Sequence, residues 1–451
     1  MSVKRKLNML RWLARDAVMK RAMPAASAAS YFRYKMSARF NEPRALSHLL
    51  AAHRYSASDS LTAHVVSRLP AIRRNVGQLQ DLDWLGAPEK AIDHVAGRSI
   101  VLKWPRRTGG AIEKGVLLVS FTTSFPYFYE HVDIGELQRY FSVVLEPSWA
   151  GYGVGEILFW AQRGAPPVIV QATEKTDFDF IAALDSNLVP VEFGASNWVD
   201  ERLFFPVDGI EKKYDCVYVG NYRPIKRHHV LFRAIRELRD PSYRAALACT
   251  PWGGGSAKQT VHDLARYYGV GRNIEIFEGL PAAQLNKLLV ASKVNVLLSL
   301  KEGSNRSIFE GFFADVPGIA LRNNVGMNKS YINAQTGRLI EESELAAALD
   351  FFRSHWREFN PRRWALEHIS PKVTTRRLEG VLAELARSRG EPWTAGLRVK
   401  VNRPEVEYFD AEAPLPLSNV QLLRLFASRK TDGNRDIERE LFPLPPVASF
   451  G

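Results

Sequence analysis

Over residues 1–95 apolar positions recur at helical spacing. The pattern predicts helices over Lys4–Met23, Pro43–Arg54 and Ser60–Leu69, with breaks at Pro70 and Gly86–Pro88. On a wheel of Lys4–Arg21, Leu7, Leu10, Leu13, Ala14 and Val18 share a face, Lys6 and Arg21 interrupt it, and Trp12 lies opposite. Such a helix either rests on anionic lipid or packs on the body with its basic side in water. From about residue 97 short β-rich runs alternate with helical stretches. Strands are predicted over Ser99–Leu102, Val116–Phe121, Ser142–Leu145, Pro167–Gln171 and Val189–Phe193, with helices over Ile134–Tyr140, Glu156–Gln162 and Phe178–Leu184. Asn197–Pro206 reads as a linker with a turn. A second block places strands over Cys216–Val219, Ala245–Cys249, Ile274–Phe277, Val294–Leu298 and Gly318–Leu321. Its helices fall over His229–Leu238, Val261–Tyr268, Pro281–Ala291, Ser307–Ala314, Glu342–Trp356 and Val373–Ser388, with a loop over Thr250–Ser256. Residues past about 390 are Pro-rich and read as loop.

Alternation of this kind builds parallel βα units. Two consecutive blocks predict an α/β protein of two Rossmann-like domains facing each other across a cleft. The expected division is a basic helical extension over 1–95, a first domain over 96–205, a second over 206–388 and a Pro-rich tail over 389–451. Ligands of open parallel sheets sit outside the carboxyl ends of the strands, so the cleft is the expected site.

With 451 residues, 46% hydrophobic and 24% charged, the chain has the balance of a globular protein; a disordered chain, a collagen and a coiled-coil rod are excluded. Its longest apolar runs, such as Val116–Phe121, are far short of the ~20 residues of a membrane span. The opening MSVKRKLNMLRWLARD lacks the apolar core and cleavage site of a secretory signal. Cys216 and Cys249 are the only cysteines, which excludes a disulfide framework and a thiolate-rich zinc site and suits a cytoplasmic chain. Both fall in predicted strands and read as small core residues. The net charge of +13 is uneven: residues 1–110 hold 20 Lys/Arg against 7 Asp/Glu, and the remaining 41 of each sign cancel. A basic front end asks for an anionic partner. No aromatic platform or known nucleic-acid module accompanies it, so nucleic acid ranks behind an anionic membrane surface, reached through residues 1–25, and a charged glycan.

The strongest chemical constellation is LSLKEGSNRSIFEG, Leu298–Gly311. A buried strand runs into a polar turn and then a helix. Glu302 closes the strand and Glu310 stands on the helix, with seven residues between them. Gly303 lets a ligand approach the backbone. The helix start near Ser304 and Asn305 offers unpaired N–H groups suited to phosphate. A carboxylate such as Glu310 can accept both vicinal hydroxyls of a ribose. A second strand–turn–helix, VGNYRPIKR over Val219–Arg227, places Arg223 and Lys226 where a diphosphate could be gripped. Phe277–Gly279 with Leu280 ends another strand, where backbone groups could read a base edge.

Together these elements resemble retaining glycosyltransferases of the GT-B fold, in the family 4-like group. Glu302 and Glu310 match that family's Glu-x7-Glu motif, and Gly220 with Lys226 matches its Gly followed six residues later by a phosphate-binding Lys. Thr250–Gly255, Asp315–Ile319 and the pair Thr336–Gly337 match further marks. The resemblance covers about residues 214–385. It departs at Asn221, where the family has Arg and Arg223 stands nearby, and at Gly303–Asn305, where the family has Gly-Phe-Gly. Phe121–Phe128 replaces the Gly-rich loop that opens the family's first domain. The resemblance implies transfer of a sugar from a nucleotide-diphosphate sugar to a glycan, lipid-linked or other hydroxyl acceptor, as in polysaccharide biosynthesis. It implies retention of configuration, no required metal and no other cofactor. It implies Glu302 near the sugar, Glu310 on the ribose, and Gly220, Arg223, Lys226, Phe277, Leu280, Gly303, Ser304 and Asn305 around the donor. It also makes His131 a first-domain candidate beside the sugar. The rival reading is a non-catalytic nucleotide-binding or scaffold protein on the same fold, motivated by Asn221 and Ser304.

Other motifs read as ordinary structure. GYGVG, with Gly151, Gly153 and Gly155, lacks the strand-into-helix context of a dinucleotide loop and reads as a flexible loop. Gly253–Gly255 reads equally as a mobile loop or a phosphate cradle. Asp81-Leu82-Asp83 and Asp177-Phe178-Asp179 mimic the Asp-x-Asp of metal-dependent sugar transferases but read as surface or capping residues.

Overall fold

A computed structural model describes residues 2–56, 58–79, 87–251, 254–403, 406–427 and 437–442. The chain forms two compact units, each assembled from distant segments. One holds Met1–Ala29, Thr173–Lys175 and Ala195–Val373; the other holds Ser30–Ala172, Thr176–Gly194 and Thr374–Gly451. Neither follows the linear division 1–95, 96–205, 206–388 and 389–451.

In the second unit the strands are β1 (Ser99–Lys103), β2 (Arg106–Thr108), β3 (Ala111–Glu113), β4 (Gly115–Ser120), β5 (Phe141–Glu146), β6 (Val168–Gln171) and β7 (Leu188–Val191). Its five-stranded sheet runs β1-β4-β5-β6-β7. From β4 to β7 the pairing is parallel, and the fully buried run of β4 has the continuous apolar character of a strand covered on both faces. β1 departs from the expected pattern, because it pairs antiparallel with β4. Only the hairpin β2–β3 joins them, and a parallel pair needs a crossover long enough for a helix.

The tail is a correction. Residues beyond 390 form a hairpin, Lys400–Asn402 with Val406–Tyr408, and helices Asn419–Leu425 and Ile437–Leu441. Leu422, Leu423, Phe426 and Leu441 are buried in the same core as Val101, Leu117 and Phe141. The prolines conceal an apolar set at helical spacing. Lys400 is buried too, and its Nζ donates to Glu146 at the end of β5 over 2.7 Å.

Asp177 is likewise not a surface residue. It is 4% exposed, and its carboxylate accepts from the N–H groups of Gly151 and Tyr152, each at 2.8 Å. The GYGVG segment is therefore pinned from below. Asp81 and Asp83 lie outside the described residues, as does Gly253; the helix after β9 already begins at Gly254, inside the loop expected over Thr250–Ser256.

In the first unit the strands are β8 (Cys216–Asn221), β9 (Ala245–Thr250), β10 (Ile274–Glu278), β11 (Asn295–Leu297), β12 (Gly318–Leu321) and β13 (Gly337–Ile340). They form one parallel sheet in the order β10-β9-β8-β11-β12-β13. Side chains alternate between its faces as the period of two requires. Tyr218, Leu247, Val296 and Ile319 enter one core, and Val217, Ala246, Leu297 and Ala320 enter the other. Burying each large apolar side chain contributes about 1.5–3 kcal/mol. β13 begins at the Thr336–Gly337 pair, which the resemblance places just before a strand, whereas the helix Pro361–His368 is absent from the sequence reading. At the mouth of β13, Gly337 has φ +154, and a β-carbon there would stand 1.9 Å from the Gly318 carbonyl oxygen.

The N-terminal helix α1 (Val3–Ser37) is longer than expected and continues through Pro24. The face that packs is not the one that carries Leu7 and Leu10. Met9, 2% exposed, joins the core of the first unit with Trp12 and Leu13 against it, while Leu7 and Leu10 stay exposed. That face also carries two charged anchors. Arg5 and Asp16 flank Met9 and Trp12 on that face, and both form ion pairs with the first unit. Among the described residues no helix is long and apolar enough to cross a membrane.

Candidate functional site

The strand order creates one singular place. From β8 the chain moves outward to β9 and β10 and then returns to the other side of β8 with β11. The carboxyl ends of β8 and β11 are therefore the switch point, where open parallel sheets bind ligands. Both predicted constellations leave the sheet there.

After β8, the Asn221 side chain accepts from the Arg223 N–H at 3.0 Å and starts a turn. A 3-10 turn over Pro224–Lys226 follows, and the helix His228–Leu238 begins after Arg227. The Tyr218 hydroxyl donates to the Lys226 carbonyl and tethers the turn to its strand. Lys226 folds back along Gly220: a β-carbon there would stand 3.4 Å from both Cγ and Cδ of the lysine. The Lys226 ammonium then donates to Glu302 Oε1 at 2.5 Å, and the Ser299 hydroxyl donates to the same oxygen at 2.5 Å. Residues 76 apart in sequence thus share one ion pair. Arg223 is exposed on the turn just ahead.

The Glu302 backbone is clamped from a segment that sequence reasoning passed over. Its N–H donates to the Val325 carbonyl at 2.8 Å, and the Val325 N–H donates to the Leu300 carbonyl at 2.9 Å. Gly326 follows with φ +107, and a β-carbon on it would fall 2.0 Å from the Glu302 carbonyl oxygen. Its N–H donates to Glu174 at 3.0 Å, and Lys329 holds both oxygens of Glu174 at 3.1 Å. Gly326→Ala is expected to cost about 1–3 kcal/mol from backbone strain alone. It should also displace Glu302, and the urea midpoint should fall; an unchanged midpoint would refute the clamp.

The helix Arg306–Phe313 carries the second glutamate. Asn305 caps it, its side-chain oxygen accepting from the Ile308 N–H at 3.1 Å and the Ser307 hydroxyl at 2.9 Å. Ser304 is occupied structurally, with its oxygen 2.8 Å from the Ser196 N–H and 2.7 Å from the Ser196 hydroxyl. Gly303 connects this anchor to Glu302. Glu310 is 8% exposed, with Arg306 at 3.7 Å. Burial pushes the Glu310 carboxyl above its ordinary range, and Arg306 offsets part of that. Phe277 and Leu280 are half-buried against the core that holds Ile308 and Phe309. His131 belongs to the other unit, where it closes the helix Phe125–His131. Among the described residues no three His, Cys, Asp or Glu side chains are grouped as a metal would need.

Arg227 is the functional neighbour that sequence reasoning missed. It is 3% exposed and sits at φ +56, so its side chain leaves the turn in a different direction from Lys226. Its guanidinium donates to Asp16 of α1 at 2.5 Å, to the Leu298 carbonyl at 2.9 Å and to Glu342. Arg233 also reaches Glu342, and His229 Nε2 lies 3.1 Å from Asp16. Burial opposes ionisation of Asp16, but hydrogen bonds from His229 and Arg227 outweigh it and hold the carboxyl well below the usual carboxylate range. The adjacent cations Lys226 and Arg227 at a strand–helix turn are the available clue: a buried arginine needs an acid.

No curated protein matches the chain. Among solved structures it is similar to a sucrose-phosphate synthase from Thermosynechococcus elongatus, at 16% identity over 60% of this chain and 74% of that one, with a TM-score of 0.47. It is similar to Anabaena HepE solved with UDP and glucose, at 14% identity over 59% and 77%, TM-score 0.46. The C-terminal domain of a glycosyl transferase group 1 family protein from Francisella tularensis is matched at 18% identity over 38% and 98%, TM-score 0.33. Residues 200–358 match the family described as glycosyl transferases group 1, and that stretch contains the switch point, Lys226, Glu302 and Glu310.

Proposed function

We propose that the protein transfers a sugar from a nucleotide-diphosphate sugar to a hydroxyl of a glycan or lipid-linked acceptor. The observation that carries this reading is the meeting of Gly220, Lys226 and Glu302 at the switch point, within the stretch that matches the glycosyl transferases. In the reaction the bond from the sugar's anomeric carbon to the diphosphate breaks, and the acceptor oxygen takes the diphosphate's place. Most of the barrier lies in charge building on the leaving group. Lys226, Arg223 and the amide groups at the start of the helix after Asn305 supply compensating positive potential. Lys226 then exchanges its carboxylate partner for phosphate, which leaves Glu302 beside the sugar. Glu310 takes the ribose hydroxyls; a carboxylate held among apolar groups gains by accepting two donors. Phe277 and Leu280 border the base. The acceptor's proton passes to the departing phosphate oxygen, configuration is retained, and no metal is required.

Thermal shift of the full chain against UDP, GDP, ADP and their sugars tests this reading. One nucleotide should raise Tm, by the equivalent of about 2.7 kcal/mol at a hundredfold excess over Kd. Glu310→Ala should abolish the increment, and transfer should persist in EDTA. Flat melting curves with every nucleotide would overturn the reading. Binding without release of nucleotide from any donor would favour the scaffold alternative.

A further inference from the structure

Helix α1 has two faces of opposite character. Inward, Met9, Trp12 and Leu13 pack on the core of the first unit, and Arg5 and Asp16 pair with Asp263 at 2.8 Å and Arg227 at 2.5 Å. Outward, Val3, Leu7 and Leu10 are 78%, 47% and 48% exposed, and Ala14 continues their line. At about 100° per residue these four side chains fall within an arc of roughly 60°. Exposed Lys4, Arg11 and Arg15 border the arc on one side and Lys6 on the other. Asp16 is the only acidic residue before Glu42, and it points inward. The outward face is thus an apolar stripe between rows of cations with no carboxylate on it. Further along α1, exposed Phe32 and Met36 stand among exposed Arg33 and Lys35.

Water gives Val3, Leu7 and Leu10 no favourable partner, and phosphate grooves of nucleic acid would meet the cations but not the stripe between them. A bilayer surface satisfies both. Short apolar side chains enter the boundary between headgroups and acyl chains, and long cationic ones reach anionic headgroups. We propose that the outward face of α1 lies on an anionic lipid surface while its inward face holds the folded body. This goes beyond the transfer reading and stands without it, since vesicle binding needs no nucleotide.

Co-sedimentation of the full chain with vesicles of equal parts phosphatidylglycerol and phosphatidylcholine, at near-physiological salt, tests the proposal. The protein should pellet with these and stay in solution with phosphatidylcholine alone. Leu7→Gln with Leu10→Gln should lower the partition coefficient about tenfold. Lys4→Gln, Arg11→Gln and Arg15→Gln should each lower it about fivefold. All five positions are exposed, so melting curves should match the native chain and thereby separate lost binding from lost folding. Equal pelleting of native and variant chains would overturn the proposal. So would a native dimer that the leucine pair dissociates, or tight binding of an oligonucleotide in place of vesicles.

Discussion

Lys226→Ala should reduce the rate of the proposed sugar transfer by roughly 10²–10³, the usual cost of deleting one donor aimed at developing negative charge. The lysine is 13% exposed, and its stem is fixed along Gly220 by a turn that Tyr218 tethers to β8. A group held so firmly spends little at the moment of reaction on reorganising. Its removal should therefore act mainly on kcat, with a smaller rise in KM for the donor. Lys226→Arg should recover only part of the loss, because a planar fork does not occupy the place of a compact ammonium. The alanine variant leaves Glu302 with the Ser299 hydroxyl but without its cation, so stability should fall as well, and the kinetics are compared at a temperature where both chains are folded. Steady-state kinetics on the two variants checks this, and an unchanged kcat for Lys226→Ala would remove the lysine from the chemistry.

Arg227→Leu should lower stability by about 3–5 kcal/mol, the range for deleting one partner of a buried ion pair. Asp16 and Glu342, at 12% and 15% side-chain exposure, would both lose the cation between them. The Arg163–Asp185 pair is the useful contrast: both side chains are more than 70% exposed, and its removal should cost at most about 1 kcal/mol. Urea denaturation of the two variants side by side measures the difference. Acid gives a second handle. The folded-state Asp16 carboxyl is held below its unfolded value, so its contribution is present at neutral pH and fades as pH falls through the carboxylate range and below. The stability gap between the native chain and Asp16→Asn should accordingly narrow toward acid.

Local chemistry made much of this molecule legible. β4 and β8 announce themselves as apolar runs, and the turns after β8 and β11 carry Gly220, Lys226, Glu302 and Glu310 in a recognisable order. The pairing of Lys226 with Glu302 was not legible, because it depends on β11 returning to the open side of β8, which long-range packing decides. Which face of α1 meets the body was not legible either. Met9, Trp12 and Leu13 pack inward together with Asp16, which pairs with Arg227 at a separation of 211 residues that no local pattern reveals. Short apolar sets hidden among prolines, such as Leu422, Leu423 and Phe426, gave too weak a period to read.

The composite make-up of the first unit bears on how the protein can be dissected. A fragment cut to the family-matched stretch, 200–358, would retain every strand of the six-stranded sheet. It would also sever Asp16 from Arg227, Glu174 from Gly326 and Lys329, and Ser196 from Ser304. Each severed partner braces a loop at the carboxyl end of the sheet. The matched stretch, excised by sequence similarity, would keep its scaffold and lose its scaffolding pins.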